Sequence, residues 1–447
     1  MILALTLLGL LFAYSLALPA VDRTVAFDRA PESVARVYER RLELASAMEE
    51  LPAWESAALA PFVPAGAHTT DDAIAAFRLV VEVGHKYREE NSPESRAERE
   101  LQLDGLRARS AVLLAANGRL AEAQGDLDEL GRNGHTSFVA AVRALQSGPA
   151  PTSELALAGD GWIGKVSAAR ARGEARPEPG AAVRRALTWA RGLAGVVAFG
   201  TLVLLAWLGR NRPDVVVGSI QIPSLWTPQT GFGVLVRAAF LGGLVYLGFQ
   251  TWSAAAKTDV PHYFTYAVAS IPLLWLTRRH LARPHRLEIQ DVIGFPASAT
   301  TIALTTLALF AIDRIGGGAV ATAASGMGAA NPWTFQVDEF VLWSTDAAFA
   351  IAAFDRLIFG VFVVLLAFLG ILYPSLRHVH GPLHAAVLTG MLFAAVHLAS
   401  LPTMLALAWS GVVFALAVAR TRSLLPALLC ASLGGLFETA FTGALYR

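Results

Sequence analysis

Charge and cysteine are both scarce in this chain. Only 16% of its 447 residues are charged against 55% hydrophobic, the net charge is +1, and the mean hydropathy is +0.49. Soluble domains carry about 25% charged residues, so the composition places the chain among membrane proteins. The one cysteine, Cys430, excludes an intrachain disulfide and any cysteine-built zinc site. No basic stripe with interleaved aromatics is present, which leaves no footing for a nucleic-acid partner. No internal repeat runs along the chain. The glycine-rich run GGGAVATAASGMGAANP, residues 316–332, has no strand before it and no phosphate-binding pattern. It is no nucleotide signature, and it reads as a flexible outer loop.

The charges that are present cluster. Residues 21–186 are rich in Arg, Glu and Asp, whereas 187–447 is a series of apolar blocks joined by short polar loops. The expected organisation has three parts. Residues 1–20, MILALTLLGLLFAYSLALPA, form a signal peptide or an uncleaved anchor, since the stretch is apolar enough to span but lacks a positive n-region. Residues 21–186 form a helical extramembrane region. Residues 187–447 form a polytopic membrane domain. Within the extramembrane region, LRARSAVLLAANGRLAEAQGDLDEL, residues 106–130, reads as two helices meeting at Asn117-Gly118. It resembles one tetratricopeptide-type hairpin, a unit that binds proteins, but stacked copies are normally needed to bury a continuous face, and an ordinary helical hairpin is the favoured reading of the pattern.

The predicted fold is all-α, a bundle of eight or nine membrane helices. Segments are drawn at 190–208, 231–250, 263–277, 296–313, 345–373, 383–400, 404–419 and 424–443, with the N-terminal stretch as a ninth. With a cytoplasmic N-terminus, the inner loops carry Arg210 and Arg212, then Arg278, Arg279, Arg283 and Arg286, then Arg377, then Arg420 and Arg422. The short outer loops carry only Lys257 and Arg314. Every second loop is basic, as the positive-inside rule requires. In a bacterium this is an inner-membrane protein with residues 21–186 in the periplasm.

Ionisable groups deep in membrane segments are expensive and mark either function or a satisfied pair. Three stand out: Asp355 in AAFDRLIFG, His397 in LTGMLFAAVHLAS, and Glu438 in ASLGGLFETAF. At 1.5 Å per residue each lies about 20–30 Å from the inner end of its segment, a depth at which they can converge. The neighbouring Arg356 offers Asp355 a local structural pair instead. His378, His380 and His384 in HVHGPLH have metal-compatible spacing but sit at the inner interface, where histidines are cheap. Asp338 and Glu339 are expected to face water near the outer surface.

The C-terminal 170 residues resemble the CPBP intramembrane proteases, which include CAAX-prenyl proteases and bacteriocin-processing enzymes. Three motifs mark that family: EExxxR with a following glycine, FxxxH, and HxxxN or HxxxD. The second is intact, with Phe393 and His397 four apart. GPLHAAVLTGMLFAAVHL has the family's Gly-Pro start, RRHLARPHRLEIQDVIGF resembles its basic loop, and RTRSLLPALL resembles the entry to its last helix. The first motif is altered: Phe354 and Asp355 stand at the two glutamates and Phe359 at the arginine, with Gly360 retained. The third has Ala431 for the histidine and Gly435 for Asn/Asp.

The resemblance implies a glutamate that activates water and histidines that bind a divalent metal or stabilise charge. In this chain a rebuilt site would consist of Asp355, His397 and Glu438, since Ala431, Gly435 and Glu438 share one helical face. Three readings follow. One is a non-catalytic relative that binds transmembrane or C-terminal segments of clients, sits in lipid, and engages a catalytic family homologue or another protein through its helical outer region. The second is an active intramembrane endopeptidase. The third, a small transporter, lacks the paired Gly/Pro-interrupted segments of inverted repeats.

Overall fold

A computed structural model describes residues 31–63, 69–71, 73–74, 77–78, 93–147, 150–159, 161–210, 226–256, 262–288, 293, 299–325, 350, 353–397 and 401–446. Among these residues every regular element is helical, and no strand occurs. The N-terminal segment and the Asp338-Glu339 pair lie outside the described residues. The chain forms two compact units. One comprises residues 1–18, 191–340 and 344–440, the other residues 19–190, 341–343 and 441–447.

The second unit is built from α1 (Pro31–Glu49), α2 (Ala53–Leu59), α3 (Pro93–Ala116), α4 (Gln124–Arg132), α5 (Thr136–Ser147) and α6 (Trp162–Arg172). Apolar residues at helical spacing bury one stripe of α3, through Leu106, Ala111, Leu114 and Ala115, against Leu127 and Leu130 of α4 and Val142 and Leu145 of α5. α3 ends at Ala116, and the turn at Asn117-Gly118 leads on towards α4. Gly118 takes φ 76, a left-handed conformation that favours glycine, while Asn117 Nδ2 donates back to Leu113 O at 2.8 Å. Polar residues lock the next turn. Asp104, buried on α3, accepts from Arg107 Nη1 at 2.9 Å and from Asn133 Nδ2 at 2.9 Å, and lies 3.3 Å from His135 Nε2. One carboxylate thereby fastens the α4–α5 connection to α3.

The first unit contains α7 (Ala181–Arg210), which begins at its edge, then α8 (Pro228–Ala256), α9 (His262–Thr277) and α10 (Ala299–Ser325). Four consecutive helical segments, Asp355–Phe359, Gly360–Leu365, Leu366–Leu372 and Tyr373–His380, run on as one helix, α11. Then come α12 (Pro382–Ala395), α13 (Leu401–Thr421) and α14 (Leu425–Tyr446). Six stretches are long and apolar enough to cross a membrane: Ala181–Ala206, Pro228–Phe249, Ile302–Ala324, Leu357–His380, Thr403–Thr421 and Leu425–Tyr446. The chain is an integral membrane protein on that count. Large apolar side chains left exposed, such as Phe199, Leu202, Leu244 and Met391, are what lipid-facing positions require.

Helices in lipid gain little from burying apolar surface against one another, so close backbone approach at small residues dominates their packing. A Cβ on Gly200 would lie within contact of Leu307 O, bringing α7 onto α10. One on Gly242 would lie 2.5 Å from Ala269 O, joining α8 to α9. On Gly390 it would meet Ala408 O at 2.5 Å, and on Gly411 the Gly390 Cα at 2.7 Å, joining α12 to α13. Val234, Ala238, Leu273, Leu276, Val363 and Ile371 fill the space among α8, α9 and α11.

Three boundaries differ from the sequence expectation, each for a physical reason. The glycine-rich run expected to be a loop is helical through Ser325, because a backbone in lipid must satisfy its own hydrogen bonds and so keeps glycines helical. α11 runs through Pro374 to His380 instead of stopping at 373. The widened turn Leu366–Leu372 precedes that proline and accommodates its missing N–H and its ring. The segment drawn at 383–400 yields a helix of only 14 residues, Pro382–Ala395, about 21 Å long against about 30 Å of hydrocarbon.

Candidate functional site

His397 stands in the turn just past the end of α12. Gly381, with φ 75, and Pro382 at the first helical position set the start of that helix. At 14 residues the helix is shorter than the hydrocarbon thickness of a bilayer. Phe393, one turn before His397, is buried. Its ring meets Phe368 of α11 edge-on at 5.4 Å and carries the His397 ring at 4.8 Å. His397 Nδ1 lies 2.6 Å from Phe393 O. A ring nitrogen facing a carbonyl must carry the proton, which leaves Nε2 as the acceptor. The four-residue spacing of Phe and His therefore has a concrete meaning: the phenylalanine supplies both the shelf and the carbonyl that fix the imidazole.

Asp355 opens the widened turn Asp355–Phe359 at the start of α11. Its carboxylate folds back along its own helix onto Gly360, where a Cβ would stand 3.1 Å from Asp355 Oδ2. Gly360 is the one retained position of the first family motif, and here it is the seat of the aspartate. Nearby, Ser432 Oγ of α14 donates to Leu357 O at 2.5 Å. Glu438 lies further along α14. That helix buries the stripe Ala427, Cys430, Phe437, Phe441 and Leu445, and Glu438, one step round from Phe437, is exposed.

Counted from the shared turn at Gly381, Asp355 stands 26 residues back at the start of α11 and His397 16 residues on, past the end of α12. His378, His380 and His384 surround Gly381 and are exposed. Among the described residues no three His, Cys, Asp or Glu side chains stand together as a group able to hold a metal ion. Ala431 stands where the third motif has its histidine, so among the described residues that position supplies no metal ligand.

A second polar centre lies within the membrane unit, and the sequence reading missed it. Asp313 on α10 is 3% exposed. It accepts from Ser410 Oγ of α13 at 2.5 Å and pairs with Arg314 Nε at 3.3 Å. The Arg314 guanidinium covers the Phe310 ring at 5.4 Å and presses on Gly434 of α14, which has no Cβ to obstruct it. Trp409 Nε1 donates to Ile312 O at 3.2 Å. The signal lay in continuing the apolar run past Asp313-Arg314 into the Gly/Ala stretch, which converts a loop-edge pair into a mid-helix one.

No curated protein and no solved structure matches the chain. One segment does have a known counterpart, and it contains both Asp355 and the Phe393-His397 pair: residues 347–433 match the family model described as type II CAAX prenyl endopeptidase, Rce1-like, the same group of intramembrane proteases that the FxxxH spacing resembles.

Proposed function

We propose that this protein is a non-catalytic relative of the CPBP proteases, one that binds transmembrane or C-terminal segments of membrane-associated proteins and takes part in their processing or sorting without cutting them. The observation that carries the reading is the state of the positions where the family places its catalytic groups. Phe354, Asp355 and Phe359 stand at the first motif, and Ala431 and Gly435 at the third. His397 survives at the second motif, but no glutamate stands at the first to activate water beside it. A water-activating carboxylate must lie within hydrogen-bond reach of its target. In a bacterial inner membrane, residues 21–186 would be periplasmic. Their helices would offer a docking surface for a protein partner, and a catalytic homologue is the natural recipient of clients held by the membrane unit.

The test is capture against cleavage. Full-length protein in lipid nanodiscs is mixed with prenylated C-terminal peptides and single-span membrane peptides carrying photo-crosslinkers. Cross-linking to the membrane unit without new peptide termini is the expected result. Cleavage by wild type that disappears in Asp355→Asn and Glu438→Ala would establish the competing reading, an endopeptidase using Asp355, His397 and Glu438.

A further inference from the structure

The turn after α9, RRHLARPHR, packs six basic side chains into residues 278–286. Leu281 is its buried anchor, 1% exposed and part of the cluster with Leu273, Leu276 and Ile371. With that anchor holding the turn to the bundle, Arg278, Arg279, Arg283 and Arg286 are all exposed. Among the described residues none of the four forms an ion pair. Of the described non-glycine residues, two take positive φ, and both are arginines at this end of the unit: Arg286 at 55° and Arg422 at 56°. Such backbone is strained for a residue with a Cβ and persists where its surroundings fix it. The turn of Arg422 is tied to Ile293, whose carbonyl accepts from Leu424 N at 2.7 Å and from Ser423 Oγ at 3.2 Å.

The chemistry next to these cations decides what they receive. The exposed face of α9 carries Ile271 and Trp275 at i and i+4, and Arg279 follows at i+8 in the turn after it. Ile271 is 54% and Trp275 51% exposed, and Arg279 Cζ lies 5.2 Å from the Trp275 ring centroid. A stripe that passes from aliphatic to interfacial tryptophan to unpaired arginine matches a phospholipid along its length, acyl chain, glycerol level and phosphate in order. A soluble anion or an acidic protein would use only the charged end.

We infer that the 278–286 turn is a binding site for the headgroup of an anionic phospholipid whose acyl chain lies along Ile271 and Trp275. The purified full chain in detergent is titrated with phosphatidylglycerol, phosphatidylcholine or inorganic phosphate, and bound lipid is read by native mass spectrometry alongside the unfolding temperature. Phosphatidylglycerol should bind and raise the unfolding temperature, and the gain should fall as salt is raised to about 0.5 M. Each neutralised arginine, Arg279→Gln or Arg283→Gln, should weaken binding about fivefold, while Arg279→Lys with Arg283→Lys keeps most of it. Trp275→Ala should weaken the lipid without creating any response to phosphate. Equal binding of phosphatidylcholine, a gain indifferent to salt, or full binding by the double Gln variant overturns the site. An equal shift with inorganic phosphate, or no effect of Trp275→Ala, overturns the lipid as its occupant. Should the Gln variants fail to fold, the salt titration of wild type and the Lys variant decide the matter.

Discussion

Ser410 Oγ donates a hydrogen bond to Asp313 Oδ1 at 2.5 Å, joining α13 to α10 across 97 positions of the chain. The other carboxylate oxygen lies 3.3 Å from Arg314 Nε. A carboxylate in the interior of a membrane bundle is tolerated because it has these partners. Asp313→Ala leaves the partly exposed Arg314 guanidinium without its counter-charge and should destabilise the unit by about 1–3 kcal/mol. Ser410→Ala removes one interhelical bond, about 1–2 kcal/mol. Unfolding in detergent measures both, and an Asp313→Ala protein as stable as wild type would mean that the pair contributes nothing.

Glycine contacts set the α12–α13 hairpin on which His397 depends. A side chain at Gly390 would strike Ala408 O, and one at Gly411 would strike the Gly390 backbone. Gly390→Leu should therefore force the two helices apart, at a cost of about 1–3 kcal/mol or more. Gly248 on α8 is the control: nothing stands within 4 Å of its Cβ position. Gly248→Ala should be neutral or stabilising by up to about 1 kcal/mol. Equal effects at the two sites would contradict the packing described.

The sequence announces most of the membrane helices because length and hydropathy alone decide which segments partition into lipid. The Phe393-His397 pair is legible for a related reason, since four residues is one helical turn. What escaped was where helices stop. α10 absorbs glycines that a soluble chain would place in a loop, which moves Asp313 from a helix end to its middle. α12 ends at Ala395 although the apolar run continues to Leu401, because nothing in an apolar run marks the turn between two packed helices. α11 passes Pro374 by widening the turn before it. Where Asp355 and His397 stand along the α11–α12 hairpin depends on these last two endpoints, which no hydropathy pattern fixes.

In the second unit, Asp104 is the residue on which the α3–α5 arrangement turns. Its carboxylate gathers Arg107, Asn133 and His135, and the Arg107 side chain is 1% exposed. Asp104→Ala removes the counter-charge facing a buried guanidinium and should cost about 3–5 kcal/mol. Asp104→Asn, which keeps the shape and one acceptor, should cost less. Hydrogen exchange over residues 133–147 is the direct readout. Faster exchange there in Asp104→Ala, with α10 and α13 unchanged, is expected; unchanged protection at 133–147 would remove the carboxylate from its proposed role.

His397 and Phe393 separate stability from binding at the centre of the family-like segment. Phe393 is 8% exposed and fills the space between α11 and the His397 ring, so Phe393→Ala should cost about 3–5 kcal/mol as a core truncation. His397 is exposed and makes a hydrogen bond to a carbonyl of its own helix, so His397→Ala should change stability by less than about 1 kcal/mol. Any loss of client cross-linking in His397→Ala is then a loss of contact and not of fold. If Nε2 is the group that meets the client, His397→Gln, which can still offer a polar atom, should retain part of the cross-linking that His397→Ala loses. Capture at wild-type level in His397→Ala would reduce the conserved-looking spacing to packing: a ring set on Phe393 because the turn after α12 needs a polar residue there, and no recognition element at all.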